Sequence, residues 1–172
     1  MWGRRAVVLG ALASALVVPV VAQAKLPAPA VKTVVFGKSV AGVKLGMSLA
    51  AAKAAWGPGS KCAAKKCTWS TTPNAQRDLG ARLSFVLNKG KVVAIIVQDG
   101  TGGAKAGIKK FRTAKNIGIG STSAAVRKAY PALGPFSGSV GFGNANLGSG
   151  KTVTNFQFVN DKLDTFQIGS PI

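Results

Sequence analysis

The sequence predicts an α+β fold built from two tandem modules, each with a short helix packed on an antiparallel sheet, and we expect both modules to share one curved sheet. Three observations lead to this prediction. A segment near residue 42 recurs near residue 116, each copy contains a short helical pattern, and each is followed by two apolar runs joined by a turn. Internal repetition is a strong guide to architecture, because each copy is expected to form the same supersecondary unit.

The first copy is GVKLGMSLAAAKAAWGP, residues 42–58, and the second is NIGIGSTSAAVRKAYP, residues 116–131, which aligns without a gap at an offset of 74. In both copies a glycine precedes a hydroxyl residue, Ser48 or Thr122, which suits a helix N-cap. Apolar residues then recur at helical spacing. We predict helices over about 49–56 and 124–130, ended by Gly57-Pro58 and by Pro131.

A β-hairpin is predicted after each helix. The first joins the alternating runs 83–87 and 92–97, and the second joins 156–159 and 162–168 across Asn160-Asp161. By position in the two hairpins, Phe85 is the expected counterpart of Phe158. The pair Lys91-Val92 is likewise the expected counterpart of Lys162-Leu163. The expected core consists of apolar residues of the repeated elements: Val43, Leu45, Leu49, Trp56, Leu83, Phe85, Ile117, Ile119, Val126, Tyr130, Phe156 and Phe158.

Residues 1–24 have the organisation of a secretory signal peptide. Arg4 and Arg5 form a positive start, residues 6–18 are apolar, and Ala22-Gln23-Ala24 fits a cleavage site. The alternative is an uncleaved anchor, but the apolar run is shorter than the ~20 residues of a membrane span. We therefore expect a secreted, extracytoplasmic protein with no stable membrane span after cleavage.

The rest of the chain divides at a glycine-rich segment, QDGTGGAKAG, residues 98–107. We predict a first module over 25–104, with its first strand at 31–36, and a second module over 105–172. In the second module, 108–115 is the expected counterpart of 31–41. Residues 134–150 contain many glycines, which predict a mobile loop or a loose hairpin and offer a competing binding site.

Two cysteines, Cys62 and Cys67, lie close together in the first module. In an exported protein this placement predicts a disulfide. A redox pair is the alternative, since Lys61, Lys65 and Lys66 would favour thiolates. The C-x4-C spacing and the lack of other metal-ligand types favour a structural disulfide.

The charge is strongly one-sided, with 23 Lys and Arg, four Asp, no Glu and no His, which gives a net charge of +19. Without Arg4 and Arg5 it is 23 − 2 − 4, or +17. The electrostatic field of so many positive charges attracts anionic polymers or acidic proteins. The densest group of bases is the candidate site for an anionic partner, with a solvated face as the alternative: Lys105, Lys109, Lys110, Arg112 and Lys115.

Nucleic acid is not the expected partner. Proteins that bind single-stranded nucleic acid expose aromatic side chains on which the bases stack, whereas most aromatic residues here are at core-like positions. Residues 145–152, ANLGSGKT, match a loose phosphate-loop pattern, and residues 118–122 resemble a phosphate nest. A phosphate loop needs a helix after it, whereas the residues after Lys151 alternate like a strand. With no His and no Glu, the common general bases are missing. We predict no enzyme, no catalytic residue, no cofactor and no metal.

The repeated Gly46-Met47-Ser48 segment, with its helix and hairpin, resembles the SmpA/OmlA small-lipoprotein superfamily. Two tandem copies in an exported chain resemble the β-lactamase inhibitory protein family. The resemblance covers about 31–168 and implies helices on an antiparallel sheet and protein binding at the cell envelope. No lipobox is present, the second module has no cysteine pair, and no inhibitor contact residue is matched, so inhibition of a β-lactamase is not implied.

The predicted function is that of a secreted, non-catalytic binding module of the cell envelope. Its partner would be an anionic envelope polymer or an acidic protein there. The alternative is a proteinaceous inhibitor of a secreted enzyme.

Overall fold

A computed structural model describes residues 26–57, 61–70, 80–100 and 106–170. The predicted signal peptide, residues 1–24, lies outside the described residues. The described chain is a mixed α+β structure in which antiparallel strands dominate.

Over its described residues, the first half contains three two-residue strands, one helix and four longer strands. In chain order these are β1 (Val34–Val35), β2 (Ser39–Val40), β3 (Val43–Lys44), α1 (Leu49–Trp56), β4 (Lys61–Ala63), β5 (Lys66–Ser70), β6 (Arg82–Asn88) and β7 (Lys91–Gln98). Over its described residues, the second half contains two helices and four strands: α2 (Ala106–Lys109), α3 (Ser123–Ala129), β8 (Ser137–Ser139), β9 (Phe142–Leu147), β10 (Thr154–Val159) and β11 (Lys162–Gly169). A 3-10 turn at Gly150–Thr152 precedes β10.

The main sheet has eight strands in the order β4-β5-β6-β7-β11-β10-β9-β8, and all its neighbours are antiparallel. Each half of the chain therefore starts at one outer edge and moves inward. The two halves meet where β7 pairs with β11, from Gln98 opposite Thr165 to Ala94 opposite Gly169. Gly169 has a positive φ, and a Cβ there would lie 2.2 Å from the Val93 carbonyl oxygen, so this central seam requires glycine.

Both predicted helices and both predicted hairpins are present. Helix α1 has the predicted bounds, and α3 begins and ends one residue earlier than predicted. The first strand is much shorter than predicted, because only Val34–Val35 pairs with β2 and Val31 is exposed. Residues 108–115 do not repeat the 31–41 region as strands; Ile108 belongs to α2, and Arg112 forms a bridge with Thr33.

The two copies of the repeated segment make matching contacts. Ser48 Oγ accepts from Ala51 N at 3.3 Å, and Thr122 Oγ1 accepts from Ala125 N at 3.1 Å, as predicted for N-caps. The preceding glycine also donates to an equivalent strand, since Gly46 N bonds the Val92 carbonyl and Gly120 N bonds the Leu163 carbonyl. The same local sequence therefore attaches each helix to the second strand of its hairpin.

The hairpin registers correct one predicted equivalence. A bulge follows Val86 in β6, and a bulge follows Gln157 in β10. Matching the bulges pairs Phe85 with Phe156, rather than with Phe158 as the sequence suggested. The predicted correspondence of Lys91-Val92 and Lys162-Leu163 holds, because Lys91 lies opposite Asn88 and Lys162 opposite Val159 in the same turn positions.

The predicted core is largely confirmed: Val43, Trp56, Leu83, Phe85, Ile117, Ile119, Val126, Phe156 and Phe158 are buried, and Leu45, Leu49 and Tyr130 pack against them partly buried. In the first half, Trp56 stands edge to face with Trp69 at 5.0 Å. In the second half an N-terminal residue enters the core. Phe36 contacts the rings of Tyr130, Phe156 and Phe166 at centroid distances of 5.1, 4.8 and 5.5 Å.

The segment 134–150 contains the hairpin β8–β9 at the outer edge of the sheet, so the hairpin, and not the mobile loop, is the right one of the two predicted alternatives. At the opposite edge, Cys62 and Cys67 form the predicted disulfide as directly opposed residues of β4 and β5. Such a bond is typical of proteins in oxidising compartments.

Candidate functional site

The predicted basic cluster lies around α2 and the loop that follows it. Lys105 lies outside the described residues. Lys109, Lys110 and Lys115 are exposed, and Arg112 is half-buried. Phe111, which the sequence places among these bases, is fully buried. The Phe111 ring therefore cannot stack on a nucleobase.

Arg112 holds the loop together. Its Nε donates to the Lys109 carbonyl at 2.9 Å, and its guanidinium donates to the Asn116 carbonyl at 2.8 Å. Asn116 has a positive φ of 59°, which this bond helps to maintain. Arg112 therefore has a structural role that the sequence did not indicate.

Lys115 reaches across to helix α3. Its Nζ donates to the Ala129 carbonyl at 2.6 Å and lies 4.9 Å from the centroid of the Tyr130 ring. A cation at the C-terminal end of a helix is favourable, and so is a cation over an aromatic face. These contacts fix the position of the Lys115 ammonium group.

Together these residues border a surface depression of about 640 Å³, which we call the basic depression. Its cationic side chains come from two elements, Arg112 and Lys115 from the loop and Lys128 from α3. Its remaining lining residues are Asn116, Ile117, Ser121, Ala125 and Ala129. No carboxylate is among these residues. Three cations converging without an acidic neighbour make a surface that is suited to a carboxylate, sulfate or phosphate group.

Lys128 is not among the site residues predicted from the sequence. Ala125 and Lys128 are three residues apart in α3, which places them on one helix face, and Ser121 lies just before the N-cap Thr122. In the first copy of the repeat, Lys128 is replaced by Ala54. The fold therefore does not require a cation at this position.

The phosphate-loop pattern at 145–152 does not have the structure that its chemistry needs. Ala145 belongs to strand β9, and Gly150–Thr152 is a 3-10 turn that leads into strand β10, where a phosphate loop needs a helix. Residues 118–122 form the turn that caps α3, in the same way as in the first copy.

Within ranges 26–57, 61–70, 80–100 and 106–170, no three His, Cys, Asp or Glu residues lie together as metal ligands would. None of the helices that the structure describes is long and apolar enough to cross a membrane.

No protein-family model, no curated protein and no solved structure matches the chain.

Proposed function

We propose that the protein is a secreted, non-catalytic module of the cell envelope that binds an anionic envelope polymer or an acidic protein. The basic depression is the observation that supports this proposal. It combines cations from two elements, and two of them, Arg112 and Lys115, are held in place by hydrogen bonds to backbone carbonyls. Preorganised cations lose less conformational freedom when they bind an anion.

We further propose that the chain consists of two tandem copies of one unit. The matching N-caps, the equivalent bonds of Gly46 and Gly120 and the mirrored strand order support this view. The binding surface would then belong to the second copy alone, because the first copy has Ala54 where the second has Lys128.

Binding to dextran sulfate and to polyglutamate, measured across a salt series, tests the function. The double variant Lys109→Glu/Lys128→Glu changes two exposed lysines: Lys128 lines the depression, and the Lys109 carbonyl accepts a hydrogen bond from Arg112, which also lines it. We expect it to bind about tenfold more weakly, a loss of about 1.4 kcal/mol. Its melting temperature should stay nearly unchanged, because exposed charges contribute little to stability. Arg112 is left in place because of its structural bonds.

The matched control is Lys53→Glu/Lys151→Glu, which changes the net charge equally at exposed lysines away from the depression. We expect it to weaken binding by no more than about twofold. Equal losses in both variants would show that net charge, and not the depression, drives binding. Tight binding to a secreted enzyme that persists at about 1 M salt, where the Debye length is ~3 Å, would instead support the inhibitor alternative.

A further inference from the structure

A long uncharged stretch distinguishes one edge of the sheet. Residues 129–150 contain no Asp, Lys or Arg, although the whole chain has 23 bases and four acids. In the structure this stretch includes the β8–β9 hairpin, where Phe136, Val140 and Phe142 are 40%, 102% and 59% exposed. The opposite edge carries Lys61, Lys66 and the disulfide instead. Exposed apolar groups gathered at one place on such a basic surface indicate a contact site.

An open pocket of about 280 Å³ lies beside these residues. Phe136, Phe142 and Phe158 form its apolar side, and Ser123, Ser139 and Asp161 are among its polar groups. A concave site with aromatic walls and a few polar groups is the usual form of a small-ligand pocket.

The aromatic wall is held in place although it is exposed. The Arg127 guanidinium carbon lies 4.6 Å from the centroid of the Phe136 ring, and Phe158 meets that ring edge to face at 5.2 Å. Arg127 in turn donates to the Leu133 and Gly134 carbonyls at 3.4 and 3.3 Å. The free part of the ring is therefore presented to solvent in a fixed orientation.

The polar side of the pocket is a feature of the second copy. Ser123 Oγ donates to the Asp161 carboxylate, and Ser123 N bonds the Asp161 carbonyl at 3.3 Å. In the first copy the same backbone bond joins Leu49 to Gly90 at 3.2 Å. Gly90 and Asp161 both have positive φ, at 72° and 60°. Glycine meets the backbone requirement at this position in the first copy, so the fold does not need a carboxylate here.

The hairpin tip is fixed against the same turn, because Asn160 N donates to the Gly141 carbonyl at 2.7 Å. The pocket is thus formed before any ligand arrives, which reduces the entropy cost of binding.

We propose that this pocket binds a neutral saccharide. The ring face of Phe136 or Phe142 attracts the C–H groups of a sugar's apolar face, because the face of a π-system is electronegative. The Asp161 carboxylate and the serine hydroxyls suit sugar hydroxyl groups. An anion is disfavoured by Asp161, and a cation by Arg127 and the net charge of +19. A peptide adding to the edge would find a strand of three residues, Ser137–Ser139.

The saccharide site is separate from the basic depression and does not depend on the proposed function. Its test is a titration of ¹⁵N-labelled protein with maltotriose, cellotriose, mannotriose and tri-N-acetylchitotriose. At about 10 mM, tenfold above the roughly 1 mM dissociation constant of a shallow site, at least one should shift the amide signals of 136–143 and 160–162.

Two variants remove the proposed contacts without touching the core. Phe142→Ala removes an exposed ring, and Asp161→Gly introduces the residue of the first copy. Each should weaken saccharide binding at least about tenfold, and Asp161→Gly should melt no lower than the parent protein. The control is Val140→Ala, which removes an equally apolar, fully exposed side chain of the same hairpin that does not line the pocket. It should bind as the parent does.

The proposal is overturned if none of the four saccharides shifts these signals, or if both pocket variants bind as well as the parent. It is equally overturned if the same signals shift when the protein alone is concentrated, because a second copy would then cover the pocket.

Discussion

The backbone N–H of Gly37 donates a 2.8 Å hydrogen bond to Thr154 Oγ1, which joins residues 117 positions apart in the chain. Thr154 is fully buried at the start of β10. The bond ties the N-terminal segment to the second half of the sheet.

Thr154→Val keeps the shape of the side chain and removes the acceptor. We expect it to lower the free energy of unfolding by about 1–3 kcal/mol, because the Gly37 N–H is left without its partner. Urea denaturation measures the change. Thr165→Val, whose hydroxyl bonds the neighbouring Asp164 and is only half-buried, should change stability by no more than about 0.5 kcal/mol. Equal effects of the two substitutions would contradict this account.

Phe36→Ala should destabilise the whole chain by about 3 kcal/mol, because it removes three ring contacts in the second half. Trp56 and Trp69 report on the first half by fluorescence, and far-UV circular dichroism reports on all strands. If one core connects both halves, the two signals should keep a common midpoint. A fluorescence midpoint that stays at the parent value would show that the halves unfold separately.

The two N-caps should contribute equally. Ser48→Ala and Thr122→Ala are each expected to cost about 1 kcal/mol, and the double variant about the sum, because the helices are separate. The exchanges Ser48→Thr and Thr122→Ser keep a hydroxyl and should leave thermal stability nearly unchanged. An alanine variant that melts at the same temperature as the parent would show that its N-cap does not stabilise the helix.

Arg112→Ala should cost about 1–2 kcal/mol, since two backbone carbonyls lose their donor. Arg112→Lys should not restore the loss, because an ammonium group lacks the planar fork that reaches both carbonyls. Lys109→Ala, at an exposed neighbour, should be neutral within about 0.5 kcal/mol. Chemical denaturation of the three variants tests these roles. If Arg112→Ala leaves the free energy of unfolding unchanged, Arg112 has no structural role.

The sequence predicted those elements whose signals are local. The caps and apolar spacing around Ser48 and Thr122 define both helices, and alternation around short turns defines both hairpins. The bulge equivalence of Phe85 and Phe156 was missed, because the helices repeat at an offset of 74 and the hairpins at 71, as Lys91 and Lys162 show. Only the strand pairing reveals which residues lie opposite each other.

The remaining differences also depend on distant partners. Val31 has high β-propensity, yet it is exposed and lies outside strand β1, because propensity forms a strand only where a neighbour pairs with it. The basic depression combines Lys115 with Lys128 from another element, and the pocket combines Phe136 with Asp161. Neither combination can be recognised from spacing along the chain.

The central place of β11 determines the order in which the fold can be completed. Its partner β7 belongs to the first half, so the edge of β7 that includes Ile95 and Val97 stays unpaired until residues 162–169 have been synthesised. A fragment of residues 25–161 is therefore expected to lack cooperative unfolding in circular dichroism. A sheet whose middle strand is the last along the described chain becomes continuous only when that strand is in place.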